Sequence, residues 1–279
     1  MFQTFFANWD FPPIVCSELV LVAVIYTVGF LRIQKTRPQR FPSWRWGSFM
    51  GGLLALLVAV ASPLDTLDDQ LLTIHMVQHF VLMSIAPPLI VFGAPVVPLI
   101  RGLPRWIVRP ILGPLIRRRW LRSFFHGIVR PKPAWLLMNL SFILWHIPAA
   151  YEATLTSETI HNCEHACFFF FNVLFWWPLL EPWPSRFHGN RWLLIPYLVS
   201  ADLVNTIVAA FLVFSGRVIY PTYAAQPRTF GISAMADQSA AGAFMWVLGS
   251  IIFLIPACAI AMQLLSAHPT GRQKAYAAR

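Results

Sequence analysis

Charge is what this sequence has least of. Of its 279 residues, 11 are Asp or Glu, and charged residues of both signs make up 11%, against roughly 25% in an ordinary soluble domain. That shortage excludes a water-soluble globular protein. Cysteine is scarce too: Cys16, Cys163, Cys167 and Cys258 all fall in apolar stretches, where no oxidising machinery would pair them. A disulfide-built secreted scaffold is thereby excluded, and no structural disulfide is expected. The segment from Met1 to Pro13 has no Lys or Arg ahead of the first apolar run, and no small-residue cleavage site follows it. It does not read as a removable signal peptide, so the first run is expected to stay as a span. Low-complexity tracts are missing as well.

What is abundant is apolar surface. Hydrophobic residues make up 57% and aromatics 15%, with 12 Trp and 23 Phe, and the mean hydropathy is +0.61. Several apolar runs approach the ~20 residues needed to cross a ~30 Å hydrocarbon core. The pattern predicts an all-α polytopic membrane protein, one membrane domain over 1–279. Its seven transmembrane helices are expected near 14–33, 47–63, 71–100, 133–150, 160–180, 193–214 and 237–265. The third run is too long for one straight crossing. With Pro87, Pro88, Pro95 and Pro98 it is expected to kink or break in its second half.

The cations are distributed unevenly between the connections. Five lie in 32–45, nine in 101–132, two in 181–192 and three from 266 onward, leaving Arg217 and Arg228 alone in the opposite set of loops. Cytoplasmic loops retain Lys and Arg, so the N-terminus is expected outside and the C-terminus inside. The same partition answers the nucleic-acid reading that a net charge of +10 invites: the basic residues face anionic lipid. Segment 101–132, with Trp106, Ile107, Trp120 and Leu121 among its arginines, reads as a cytoplasmic stretch lying in the interface.

Intramembrane ionisable residues are costly and are functional candidates by default. Five of the eight histidines, His75, His79, His146, His161 and His165, fall at one depth in the expected outer leaflet; His126, His188 and His268 fall in cytoplasmic segments. His75-Met-Val-Gln-His79 and His161-Asn-Cys-Glu-His165 each place two imidazoles at i and i+4, about 6 Å apart on one helix face, where both can bind one metal ion. Glu164 shares that face. Cys163 and Cys167 are turned from it by about 160° at 100° per residue, and read as packing residues. Met76, Met83 and Met245 are at outer or middle depth, and thioethers select Cu(I); packing is their ordinary role. Asp237, and the acids Asp65, Asp68 and Asp69, read either as further ligands or as caps and solvated loop. Asp202, with Asn205 near it, pairs internally or carries protons, and Glu18 is equally open.

Several motifs together carry a resemblance: Ser62-Pro-Leu-Asp65, the His75 to His79 run leading to Pro87-Pro88, His146-Ile-Pro148, Glu164-His165 with Trp176-Trp177, and Asp237-Gln238 with Gly242 and Met245-Trp246. From about residue 20 to 260 the chain resembles the bacterial CtaG-like family of cytochrome c oxidase assembly factors, described for caa-type haem-copper oxidases. The resemblance implies a seven-helix inner-membrane protein with no catalytic residue of its own. Such a protein supports maturation of an oxidase subunit, its partner, at the copper centres of the respiratory chain.

Three functions follow from the residues and the resemblance. In the first, the outer-leaflet imidazoles bind copper and pass it to the oxidase, without chemistry. In the second, three histidines hold zinc and Asp237 or Glu164 activates a bound water, making the protein a membrane-embedded hydrolase. In the third, histidines on facing helices hold haem b.

Overall fold

The computed structural model describes residues 12–62, 64, 67–182, 189–227 and 231–266. Asp65, Arg228, His188, His268, the segment 1–11 and the basic tail, all used in the expectations above, lie outside the described residues. Among the described residues the regular elements are all helical. They are α1 (Pro13–Gln34), α2 (Ser43–Ala61), α3 (Leu72–Phe92) and α4 (Val96–Gly102). After three short pieces between Arg105 and Arg117 come α5 (Arg119–Ile128), α6 (Pro131–His146) and α7 (Pro148–Thr156). The chain continues with α8 (Glu158–Leu180), α9 (Leu194–Phe214), α10 (Pro221–Ala225) and α11 (Ala234–Ser266).

Six helical stretches are long and apolar enough to cross a membrane, and α6 with α7 makes a seventh only as a pair bent by 75°. That bend corrects the straight span expected over 133–150. Pro148 has no N–H to continue the ladder and forces its predecessor out of the helical region, and Ile147 is extended at φ −66°, ψ 129°. The 16 residues of α6 rise only about 24 Å, short of the ~30 Å core.

The expected disruption of the third run takes two forms. Between His79 and Pro87 the ladder widens to a π-turn at Val81–Ile85, the usual accommodation where prolines remove donors ahead. Beyond Phe92 the helix ends, and Ala94 takes a left-handed φ of 50° before Pro95. The break is anchored from outside: the Tyr26 hydroxyl donates to the Gly93 carbonyl at 2.8 Å and the Arg45 guanidinium to the Phe92 carbonyl at 3.0 Å.

Helices meet where side chains are smallest, as membrane packing favours. α1 crosses α4 so closely that a Cβ on Gly29 would stand 1.8 Å from the Pro98 carbonyl oxygen, and one on Gly102 1.8 Å from that of Ile25. Gly242 and Gly249 of α11 face Ala209 and Asn205 of α9 in the same way. The outward faces are apolar at helical spacing, with Leu203, Ile207, Phe211 and Phe214 exposed along α9. Water would not tolerate such stripes; lipid requires them. The segment 105–128 buries no residue, and Trp106 and Trp120 are among its exposed side chains, as an interfacial stretch requires.

Candidate metal centre

α3 and α8 run parallel, starting at the same end of the bundle, opposite the end where Arg130 and Lys132 lie against Trp177 and Glu181. His75 and His161 are each the fourth residue of their helix, and His79 and His165 each the eighth. The two His-x-x-x-His pairs therefore face one another in register. The His75 and His161 rings stack with centroids 5.3 Å apart, His79 and His165 meet edge to face at 5.4 Å, and the pairs along each helix stand at 4.2 and 4.1 Å.

Glu164 lies inside this square and is fully buried. Its Oε2 is 3.9 Å from His75 Nε2 and 3.7 Å from His79 Nε2. Asp68, in the turn before α3, places Oδ2 3.7 Å from both His75 Nδ1 and His161 Nε2. One ligand atom from each of His75, His79, His161 and Glu164 lies within 4.8 Å of every other. Four ligands in a tetrahedron, each about 2.0–2.2 Å from one zinc-like ion, stand about 3.3–3.6 Å apart. The widest pair of the group would need to close by about 1.2–1.5 Å.

The donor set fits a metal on a second count. His75 Nε2, both ring nitrogens of His79, His165 Nε2 and both carboxylate oxygens of Glu164 are buried without a hydrogen-bond partner. The nearby Thr154 hydroxyl donates to the Tyr151 carbonyl at 2.7 Å instead. Buried polar atoms are nearly always paired, and a lone pair from each of two imidazoles beside the Glu164 carboxylate, all within 4.8 Å, matches the needs of a cation.

The surroundings hold the donors in place. The Tyr223 hydroxyl donates to the Asp68 carbonyl at 2.8 Å and stands 3.4 Å from His75 Nδ1. Burial above all, and then the Asp68 carboxylate, push the Tyr223 phenol well above its usual value, so it stays protonated as a donor. Tyr151 and Tyr220, stacked at 4.0 Å, complete the wall, and Glu152 on α7 accepts from the Thr222 amide and hydroxyl, tying α7 to α10. Tyr223 gave no signal in the sequence, because it sits in a connection between spans.

Other candidates take different places. Asp237 accepts from the Leu72 amide (2.7 Å) and from the Thr73 amide (3.1 Å) and hydroxyl (2.6 Å), so it caps the N-terminus of α3 from another helix. Asp202 accepts from Ser250 at 2.9 Å, the internal pairing. Cys163 is exposed, Cys167 half-buried, and all four cysteines are free. His146, at the end of α6, stands apart from the quartet. It lines a cavity of about 50 Å³ one turn deeper, together with His79, Met76, Met83 and Met245.

The sequence family described as cytochrome c oxidase caa3 assembly factor matches residues 24–267. The chain belongs to this family. Among curated proteins it is similar to an uncharacterised protein of Mycobacterium leprae, 22% identical over 93% of this chain and 40% of that protein. It is also similar to uncharacterised proteins of Mycobacterium bovis and Mycobacterium tuberculosis, each 23% identical over 91% of this chain and 39% of theirs. This caa3 assembly-factor chain thus spans about two fifths of the length of the curated relatives it matches. No solved structure matches it.

Proposed function

We propose that this cytochrome c oxidase assembly factor takes up copper at the histidine cluster and delivers it to a haem-copper oxidase subunit. One observation carries the reading: inside an apolar bundle, one ligand atom each of His75, His79, His161 and Glu164 lie within 4.8 Å of one another, and His75 Nε2, the His79 ring and the Glu164 carboxylate are buried without a hydrogen-bond partner. In this reading His75, His79, His161 and Glu164 hold the ion, His165 closes the square, and Asp68 and Tyr223 orient His75. Copper is cargo, and no residue acts catalytically.

The zinc-hydrolase alternative loses one of its two bases, because the Asp237 carboxylate is occupied at the start of α3. Glu164 remains, though it sits among the ligands rather than over an open position. Orientation belongs to the proposal too: the cluster end is placed at the periplasm and the arginine-rich 105–128 face at the cytoplasm of a bacterial inner membrane.

The test is respiratory activity per oxidase polypeptide in cells lacking the protein, at limiting and at excess copper. Oxidase chains present but poorly active, with partial rescue by copper, are expected, and a His79→Ala or His161→Ala variant should reproduce the defect while fully expressed. Variants matching wild type at limiting copper would make these histidines structural.

A further inference from the structure

The cavity beneath the histidine square shares one residue with it, His79. Its walls come from α3, α6, α8, α9 and α11. Met76, Met83, Met138 and Met245 all line it, half of the chain's eight methionines. Random packing methionine would be scattered across a bundle this apolar. Thioether sulfur is a soft donor that selects Cu(I) over hard or borderline ions.

His146 is prepared as a ligand here. Its Nδ1 is 2.7 Å from the Phe142 carbonyl oxygen, one turn back on α6. A carbonyl only accepts, so the proton sits on Nδ1 and the lone pair on Nε2, which is buried without a partner. This is the outer hydrogen bond that fixes tautomer and orientation in metal-binding histidines.

Charge separates the cavity from the site above it. No carboxylate, ammonium or guanidinium lines it. Its carboxamides have their NH₂ groups tied to backbone carbonyls: Asn139 to Trp135 at 2.9 Å, Asn172 to Phe168 at 2.8 Å and Asn205 to Met245 at 3.1 Å. Each carboxamide keeps its oxygen and a second N–H beyond that bond. A lining of thioether and imidazole lone pairs with neutral amides and no anion suits a monovalent cation; a dication there would bring uncompensated charge into a low-dielectric interior. The histidine square, with Glu164 and Asp68 beside it, has the anionic charge that the cavity lacks.

We infer that this cavity is a second metal site, for a soft monovalent cation such as Cu(I), held by His146 and the thioethers of Met76, Met83 and Met245. The inference rests on the copper reading of the histidine square and deepens it. His79 belongs to both sites, so an ion moves from imidazole and carboxylate to thioether by exchange on one shared ring. The route leads from the end of the bundle towards its middle.

The experiment loads detergent-purified protein with buffered Cu(I), and in parallel with Ag(I), then measures stoichiometry and X-ray absorption at the metal. Wild type is expected to bind about two Cu(I) per chain, with sulfur scattering in the first shell. A Met76→Leu/Met83→Leu/Met245→Leu variant, which conserves volume, should lose sulfur scattering and about one equivalent of metal while keeping the nitrogen-ligated ion. His75→Ala/His161→Ala should do the reverse. Wild-type Cu(I) bound without any sulfur ligand would overturn the second site and leave the histidine square standing. Sulfur-ligated Cu(I) that survives in His75→Ala/His161→Ala at one equivalent supports the cavity even where the square fails. Absence of bound Cu(I) and Ag(I) from the wild type would overturn both.

Discussion

His79 and Asp237 are both buried polar residues at the same end of the bundle, yet opposite stability effects are expected of them. Asp237 accepts three hydrogen bonds at the first turn of α3. Losing an N-cap contact costs about 0.5–2 kcal/mol, so Asp237→Ala should lower the thermal unfolding midpoint of the detergent-solubilised protein. His79 has neither ring nitrogen hydrogen-bonded, and an unsatisfied buried polar group costs about 1–3 kcal/mol. His79→Leu should therefore leave the metal-free protein as stable as wild type or more so, while lowering metal retention. A lower midpoint for metal-free His79→Leu would show the imidazole to be a structural contact. Asp68, 3.7 Å from two imidazoles, orients ligands, and Asp68→Asn is expected to weaken metal binding by about 10- to 100-fold without abolishing it. A competition titration with a chelator reads that directly.

The helices divide into those that carry ligands and those that brace them. α3 and α8 supply the square, whereas α1 and α4 brace one another through Gly29 and Gly102, where the Arg32 guanidinium also donates to the Arg101 carbonyl at 2.6 Å. A side chain at either glycine would run into backbone 1.8 Å away. Gly29→Leu should separate α1 from α4 and lower the yield of monodisperse protein, while Gly47→Leu, with nothing within 4 Å of the added Cβ, should purify like wild type. Equal behaviour of the two would mean that this helix contact contributes nothing to assembly. The Pro148 bend belongs to the same scale: it turns α7 across the bundle end, where Tyr151 packs on Tyr220 and Glu152 holds Thr222. Without that turn the square would have no wall on this side.

For the whole molecule, the proposed orientation sets the side from which cargo arrives. Arg130 and Lys132 lie with Trp177 and Glu181 at the end of α8 opposite its histidines. Reporter fusions should therefore be active in the periplasm at position 225 and in the cytoplasm at position 120. The opposite pattern would turn the cluster towards the cytoplasm and reverse any route through the bundle. The match to curated relatives more than twice as long leaves room in those proteins for segments that this chain's architecture does not describe.

Membrane class, helix positions and the two histidine pairs were legible in the sequence because each depends on neighbours along the chain. Hydropathy over about 20 residues sets a span, and i,i+4 spacing alone puts His75 with His79 and His161 with His165 on one face. Proline likewise announced the break in the third run. What the chain could not announce was register between helices. That His75 meets His161 while His79 meets His165, that Glu164 stands between them, and that Tyr223 reaches in from a connection all depend on contacts between residues far apart in the chain, 155 positions for Tyr223 and Asp68. The same holds for Asp237, which caps a helix 165 residues away, and for His146, which the bend at Ile147 leaves beside the methionines. Local periodicity sets which side of a helix a residue occupies. Only close packing of several helices, through glycines, caps and the Pro148 bend, decides which other side chains that residue will meet.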